Sequence, residues 1–134
     1  MERLKKKVVI EWPEDDSPHC CLDEETVAFL GQEIVLALGI GREIQIFRKK
    51  QWDTMLERLK QMPASHAKHF RLIIANSAAC DLSDGRMQLP ELLLDYAAIK
   101  DEAFLVAEDD AIILVSPTHI DTALEQIRNK GVLL

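Results

Sequence analysis

The stretch Cys80-Asp81-Leu82-Ser83-Asp84-Gly85-Arg86-Met87-Gln88-Leu89-Pro90 is the part of the sequence best suited to recognition chemistry. Asp84-Gly85 is a turn dipeptide, because glycine takes a positive φ at no steric cost. Arg86 then leaves the turn at the start of a strand, and a guanidinium so placed can fork onto a phosphate or onto O6 and N7 of a guanine. Pro90 suits the first turn of a helix. The plainer reading of Arg86 is a surface arginine paired with Asp81 or Asp84.

Other reactive residues form no comparable pattern. His19-Cys20-Cys21 invites a metal reading, with Cys80 as a further thiol. Structural zinc generally takes four ligands from paired Cys-x-x-Cys or His-x-x-x-His spacings, and neither is present, so no metal site and no cofactor are expected. His66 and His69 can share a helix face, and solvent exposure in a linker is the simpler reading. No nucleophile has a base and an orienting group beside it, and there is no phosphate-binding glycine fingerprint. An enzyme is therefore the least supported class.

The chain has 134 residues, 48% hydrophobic and 29% charged, which suits one globular domain or two small units sharing a core. The three cysteines, an odd count with no export signal, read as reduced thiols in a cytoplasmic protein. No apolar run approaches a membrane span, so no membrane partner is expected. The net charge of −7 opposes nucleic-acid binding, unless one face or an oligomer concentrates the basic residues.

An internal repeat supplies the elements that position the motif. Trp52 to Lys60 matches Ile120 to Arg128 at an offset of 68, with Asp, Thr, Leu and Glu identical, and both segments read as helices. Glu43–Phe47 and Ala111–Val115 correspond as strands. Ile34–Leu38 and Ala103–Val106 precede them, so each half holds a hairpin followed by a helix. Further upstream the offset becomes 59, aligning Cys21 with Cys80. On that alignment Pro90 to Ala98 is a short helix in the second half, and the first half has only Gly31-Gln32-Glu33 in its place. Thr26 and Val27 then stand where Gly85 and Arg86 do, after the acidic Asp23-Glu24-Glu25, so the first motif reads as degenerate. Pro13 to Pro18 is an acidic polar loop. Met62 to His66 reads as a connection, Leu72 to Ala75 as helix or strand, and Gly131 to Leu134 as a tail that frays or docks. The chain divides into a degenerate first repeat, 1–62, and a second repeat, 63–134, within one shared compact domain.

Asp-x-x-x-Gly-Arg, running from Asp81 to Arg86 and followed by Leu-Pro and a short helix, resembles the signature of the MraZ proteins. These are bacterial regulators of the division and cell-wall gene cluster, within the AbrB/SpoVT/MazE-like swapped-hairpin superfamily. Three residues separate Asp81 from Gly85 where the family pattern has two, so either Asp81 is displaced or the turn is longer. The resemblance covers about residues 20 to 128. It implies an α/β fold, mostly β with short helices: a tandem swapped-hairpin AbrB-like β-barrel with pseudo-twofold symmetry. It also implies a homo-oligomeric ring on repeated promoter DNA, associated with the nucleoid, with Gly85 shaping the turn and Arg86 and Ser83 at the DNA. Two alternatives remain: a structural or interaction homologue that has lost DNA binding, and an antitoxin-like regulator, against which the tandem repeat argues.

Overall fold

The computed structural model describes residues 4–39, 41–108 and 111–130. In chain order the elements are β1 (Leu4–Val9), β2 (His19–Cys21), α1 (Glu24–Leu30), β3 (Glu33–Leu38), β4 (Ile44–Arg48), α2 (Lys49–Lys60), α3 (Ala64–Ala75), β5 (Ala78–Asp81), β6 (Arg86–Gln88), α4 (Glu91–Ala97), β7 (Glu102–Glu108), β8 (Ala111–Val115) and α5 (Ile120–Lys130). Apart from α3, the order strand, strand, helix, strand, strand, helix occurs twice.

Six strands form one antiparallel sheet in the order β1-β7-β8-β4-β3-β5, and β2 and β6 form a separate two-stranded ribbon. Each opening strand pairs with the other unit's hairpin: β1 with β7, and β5 with β3. In the ribbon Cys20 lies opposite Met87, both fully buried, with His19 opposite Gln88 and Cys21 opposite Arg86. Symmetry-like bonds flank it: Leu22 N–H donates to Gly85 O (2.7 Å), and Leu89 N–H to Pro18 O (2.9 Å).

The hairpin strands are apolar on both faces because both faces are covered. Ile34, Leu36, Ile44 and Ile46 face a core shared with Cys20, Leu30, Met87, Leu93, Leu94 and Leu105. The opposite face of the first hairpin packs Val35, Ala37 and Phe47 against Trp52 and Met55 of α2 and Ile73 of α3. The second hairpin sets Val106, Ile113 and Val115 against Ile120, Ala123 and Ile127 of α5. The result is three layers: helices, sheet, and ribbon with α1 and α4. No helix among the described residues is long and apolar enough to cross a membrane.

Four expectations change. The fold is mixed α/β with antiparallel strands, but no closed barrel forms among the described residues. β1 and β5 lie at opposite edges of the sheet, and the chain leaves each for the ribbon, so the ladder passes to a second sheet instead of closing. The short helix of the first unit is present as α1, seven residues like α4. The offset of 59 is replaced by 67 for the ribbon strands and the short helices, His19 to Arg86 and Glu24 to Glu91, and becomes 69 at the hairpin's first strand, Glu33 to Glu102. Finally, Leu72–Ala75 is helical within α3, which begins at Ala64, so the connection shrinks to residues 61–63. The tail 131–134 lies outside the described residues.

Candidate functional site

The Asp-Gly-Arg turn joins β5 to β6, and aspartates at both ends hold it. Asp81 Oδ1 accepts from Ser83 N–H (2.8 Å), and Asp84 Oδ1 accepts from Arg86 N–H (3.0 Å). Gly85 N–H closes the turn onto Leu82 O at 3.0 Å. Short aspartate side chains favour such turns because they offer the backbone a local acceptor. The Ser83 backbone N–H, followed by the Ser83 hydroxyl, holds the Asp81 carboxyl below its ordinary value. Asp81 and Asp84 thus divide the work that one aspartate would do in a shorter turn.

Gly85 has φ +77, the region that favours glycine, and a Cβ there would meet only Leu22 O at 3.5 Å. Its requirement is for backbone conformation rather than space. Ser83 and Arg86 are both exposed. The guanidinium of Arg86 lies 3.9 Å from Asp16 Oδ2, with both side chains about half exposed. Its nearest acid therefore comes from the other unit, not from Asp81 or Asp84. An exposed pair at that distance contributes little and leaves the guanidinium able to change partners.

The register replaces the expected counterparts. Arg86 corresponds to His19 and Gly85 to Pro18, whereas Thr26 and Val27 lie within α1. In place of the tight second turn, the first unit has the longer loop 10–18 with its acidic run. Lys5, Lys6 and Lys7 do not add a free basic patch. Lys5 lies over the Phe104 ring at 5.2 Å, Lys6 pairs with Asp23, and Lys7 pairs with Glu102 at 2.9 Å. His66 and His69 are exposed on α3.

One cluster escaped the sequence reading. Glu11 exchanges backbone hydrogen bonds with His19 (2.8 and 3.1 Å), which brings its carboxylate beside His19 and Cys21. The ligand atoms of all three lie within 4.8 Å of one another. Residue spacing gave only His-x-Cys, which places two donors on one side of a strand. The third arrives through a loop closure that no spacing rule contains. Local desolvation first, and then the Glu11 carboxylate, push the Cys21 thiol above its ordinary value, with Arg86 opposing.

Fold and turn define a protein of two similar antiparallel α/β units that presents one Asp-Gly-Arg turn. No family model matches the chain. It is MraZ-like: proteins named transcriptional regulator MraZ match it from Natranaerobius thermophilus (27% identical over 101 residues, 72% of this chain and 71% of the relative), Caldicellulosiruptor bescii (30% over 81 residues, 58% and 57%) and Carboxydothermus hydrogenoformans (31% over 81 residues, 58% and 57%). In the last two, the match spans less than two thirds of the relative's length.

Proposed function

We propose that the chain is a non-enzymatic transcriptional regulator that contacts DNA through Ser83, Gly85 and Arg86. The similarity to the MraZ regulators carries this reading, and the turn supports it. Gly85 brings the backbone into a tight reversal, and the exposed Arg86 follows at the head of β6. A flexible exposed guanidinium suits phosphate or guanine recognition. A homo-oligomeric ring on promoter repeats of a division and cell-wall cluster is the matching assembly, since several weak contacts can together overcome an acidic net charge. On this reading the two units are diverged tandem repeats, 1–62 and 63–134, of swapped-hairpin type, in a cytoplasmic, nucleoid-associated protein.

A second reading is a structural or interaction homologue without DNA binding. The acid 3.9 Å from Arg86 favours it, because Asp16 sits in a run of three acids that repels phosphate.

Fluorescence anisotropy with duplex DNA from upstream of the chain's own gene, at low and moderate salt, separates the two. The regulator reading expects salt-sensitive, sequence-preferring binding. Arg86→Ala should cost about 1–3 kcal/mol if Arg86 reads a base, or lower the salt slope by about one if it holds a phosphate. A folded oligomer that fails to bind at low salt leaves the structural reading.

A further inference from the structure

β2 alternates, so Cys20 enters the core while His19 and Cys21 turn to the other side, where the backbone pairing delivers Glu11. His19 Nε2 lies 3.1 Å from Glu11 Oε2, and Cys21 Sγ lies 3.5 Å from the same oxygen. Bonds of about 2.1 Å to nitrogen and oxygen and about 2.3 Å to sulfur at a tetrahedral centre separate the donors by about 3.4–3.6 Å. The two spacings to Glu11 are close to these, and the His19 and Cys21 donor atoms lie within 4.8 Å of each other.

The imidazole supplies an independent argument. His19 is 7% exposed, and both ring nitrogens face oxygen: Nε2 faces Glu11 Oε2, and Nδ1 faces Ser17 O at 3.2 Å. A neutral ring carries one N–H, so one nitrogen lone pair would oppose an oxygen lone pair in either tautomer. A proton on each nitrogen removes the conflict, and so does a metal ion between Nε2 and Oε2. With Nδ1–H donated to Ser17 O, Nε2 is oriented as metal-bound histidines usually are, through a carbonyl behind the ring.

We propose that Glu11, His19 and Cys21 bind one divalent transition metal of zinc type, with a fourth position left to water or an external ligand. Sulfur, nitrogen and one carboxylate oxygen form a donor set suited to zinc rather than magnesium or calcium. The register gives Arg86 and Gln88 at the positions of His19 and Cys21 in the second unit, so the site belongs to the first alone. A bound metal would tie together the two ends of the acidic loop that carries Asp16.

The test is titration of the reduced, full-length protein with Co2+, read by the thiolate-to-cobalt charge-transfer absorption, and with Zn2+ by calorimetry. One equivalent should bind with the charge-transfer band. Cys21→Ser, at an exposed position that leaves the core intact, should abolish the band and weaken Zn2+ by ~10-fold or more, and Glu11→Gln should weaken Zn2+ while leaving the band. Circular dichroism confirms that each variant is folded. Absence of Zn2+ binding to the wild type overturns the proposal and assigns the position between His19 and Glu11 to a proton. Equal Zn2+ affinity in Cys21→Ser, or a band that disappears with Cys20→Ala instead, overturns it as well.

Discussion

Two residues show how much one position decides. Ala98 follows α4 with φ 55, a left-handed conformation, and its N–H caps the helix on Leu94 O and Asp95 O. The equivalent position after α1 is Gly31, with φ 94. Glycine at 98 removes the strain, so Ala98→Gly should stabilise the protein by about 0.5–1 kcal/mol, read as a higher urea midpoint at unchanged slope. Cys20 supplies a pH prediction. Burial, followed by the nearby Cys21, Cys80 and Glu11, pushes its thiol from 9.0 up to about 12. The unfolded thiol loses its proton near the lower value, while the folded one keeps it. The unfolded state therefore binds fewer protons between those values, and stability, full below about pH 9, falls as pH rises toward 12. The loss is on the order of 2–4 kcal/mol. Urea unfolding across this range should show a flatter decline in Cys20→Ala than in the wild type.

At the scale of elements, α1 is held by its first residues. Asp23 caps it, its Oδ1 accepting from Thr26 N–H at 2.8 Å, and Glu24 and Glu25 complement the helix dipole. Asp23→Ala should cost about 1 kcal/mol, measured as a lower thermal midpoint, and should also release Lys6 from its ion pair. The same residues show what was legible in the sequence. Asp23-Glu24-Glu25-Thr26 carries a helix-start signature, yet aligning Cys21 with Cys80 made it the remains of a turn. The hairpins and their helices were readable because strand and helix periods persist over long segments. β6 was readable from the turn before Arg86, but β2 and its pairing with β6 were not, because strands of three residues carry no period. Gly85 and Arg86 were found from the turn dipeptide, whereas the Glu11 contact depends on how a nine-residue loop closes.

For the whole molecule, the exchange of opening strands means that neither unit completes its own sheet. Residues from both units also line the main core. Unfolding should therefore be a single cooperative step, with fluorescence of the two tryptophans and far-ultraviolet circular dichroism giving one midpoint. Two separated midpoints would show that the units fold independently. The separate pieces 1–62 and 63–134 should each lack stable structure and recover native circular dichroism only when mixed.

The same exchange sets a timetable for synthesis. Leu4 finds Ala107 as its partner, about a hundred residues later in the chain. As the chain leaves the ribosome, β1 emerges ahead of β7 and waits with its strand hydrogen-bonding groups unpaired by a partner until β7 has been made. A waiting strand can be captured by a neighbouring nascent chain. Lys5, Lys6 and Lys7 occupy half of this one, and consecutive positive charges repel a second copy of the same segment. The lysines that make one ring contact and two modest ion pairs in the finished fold thus act earlier as a guard on its most delayed partner.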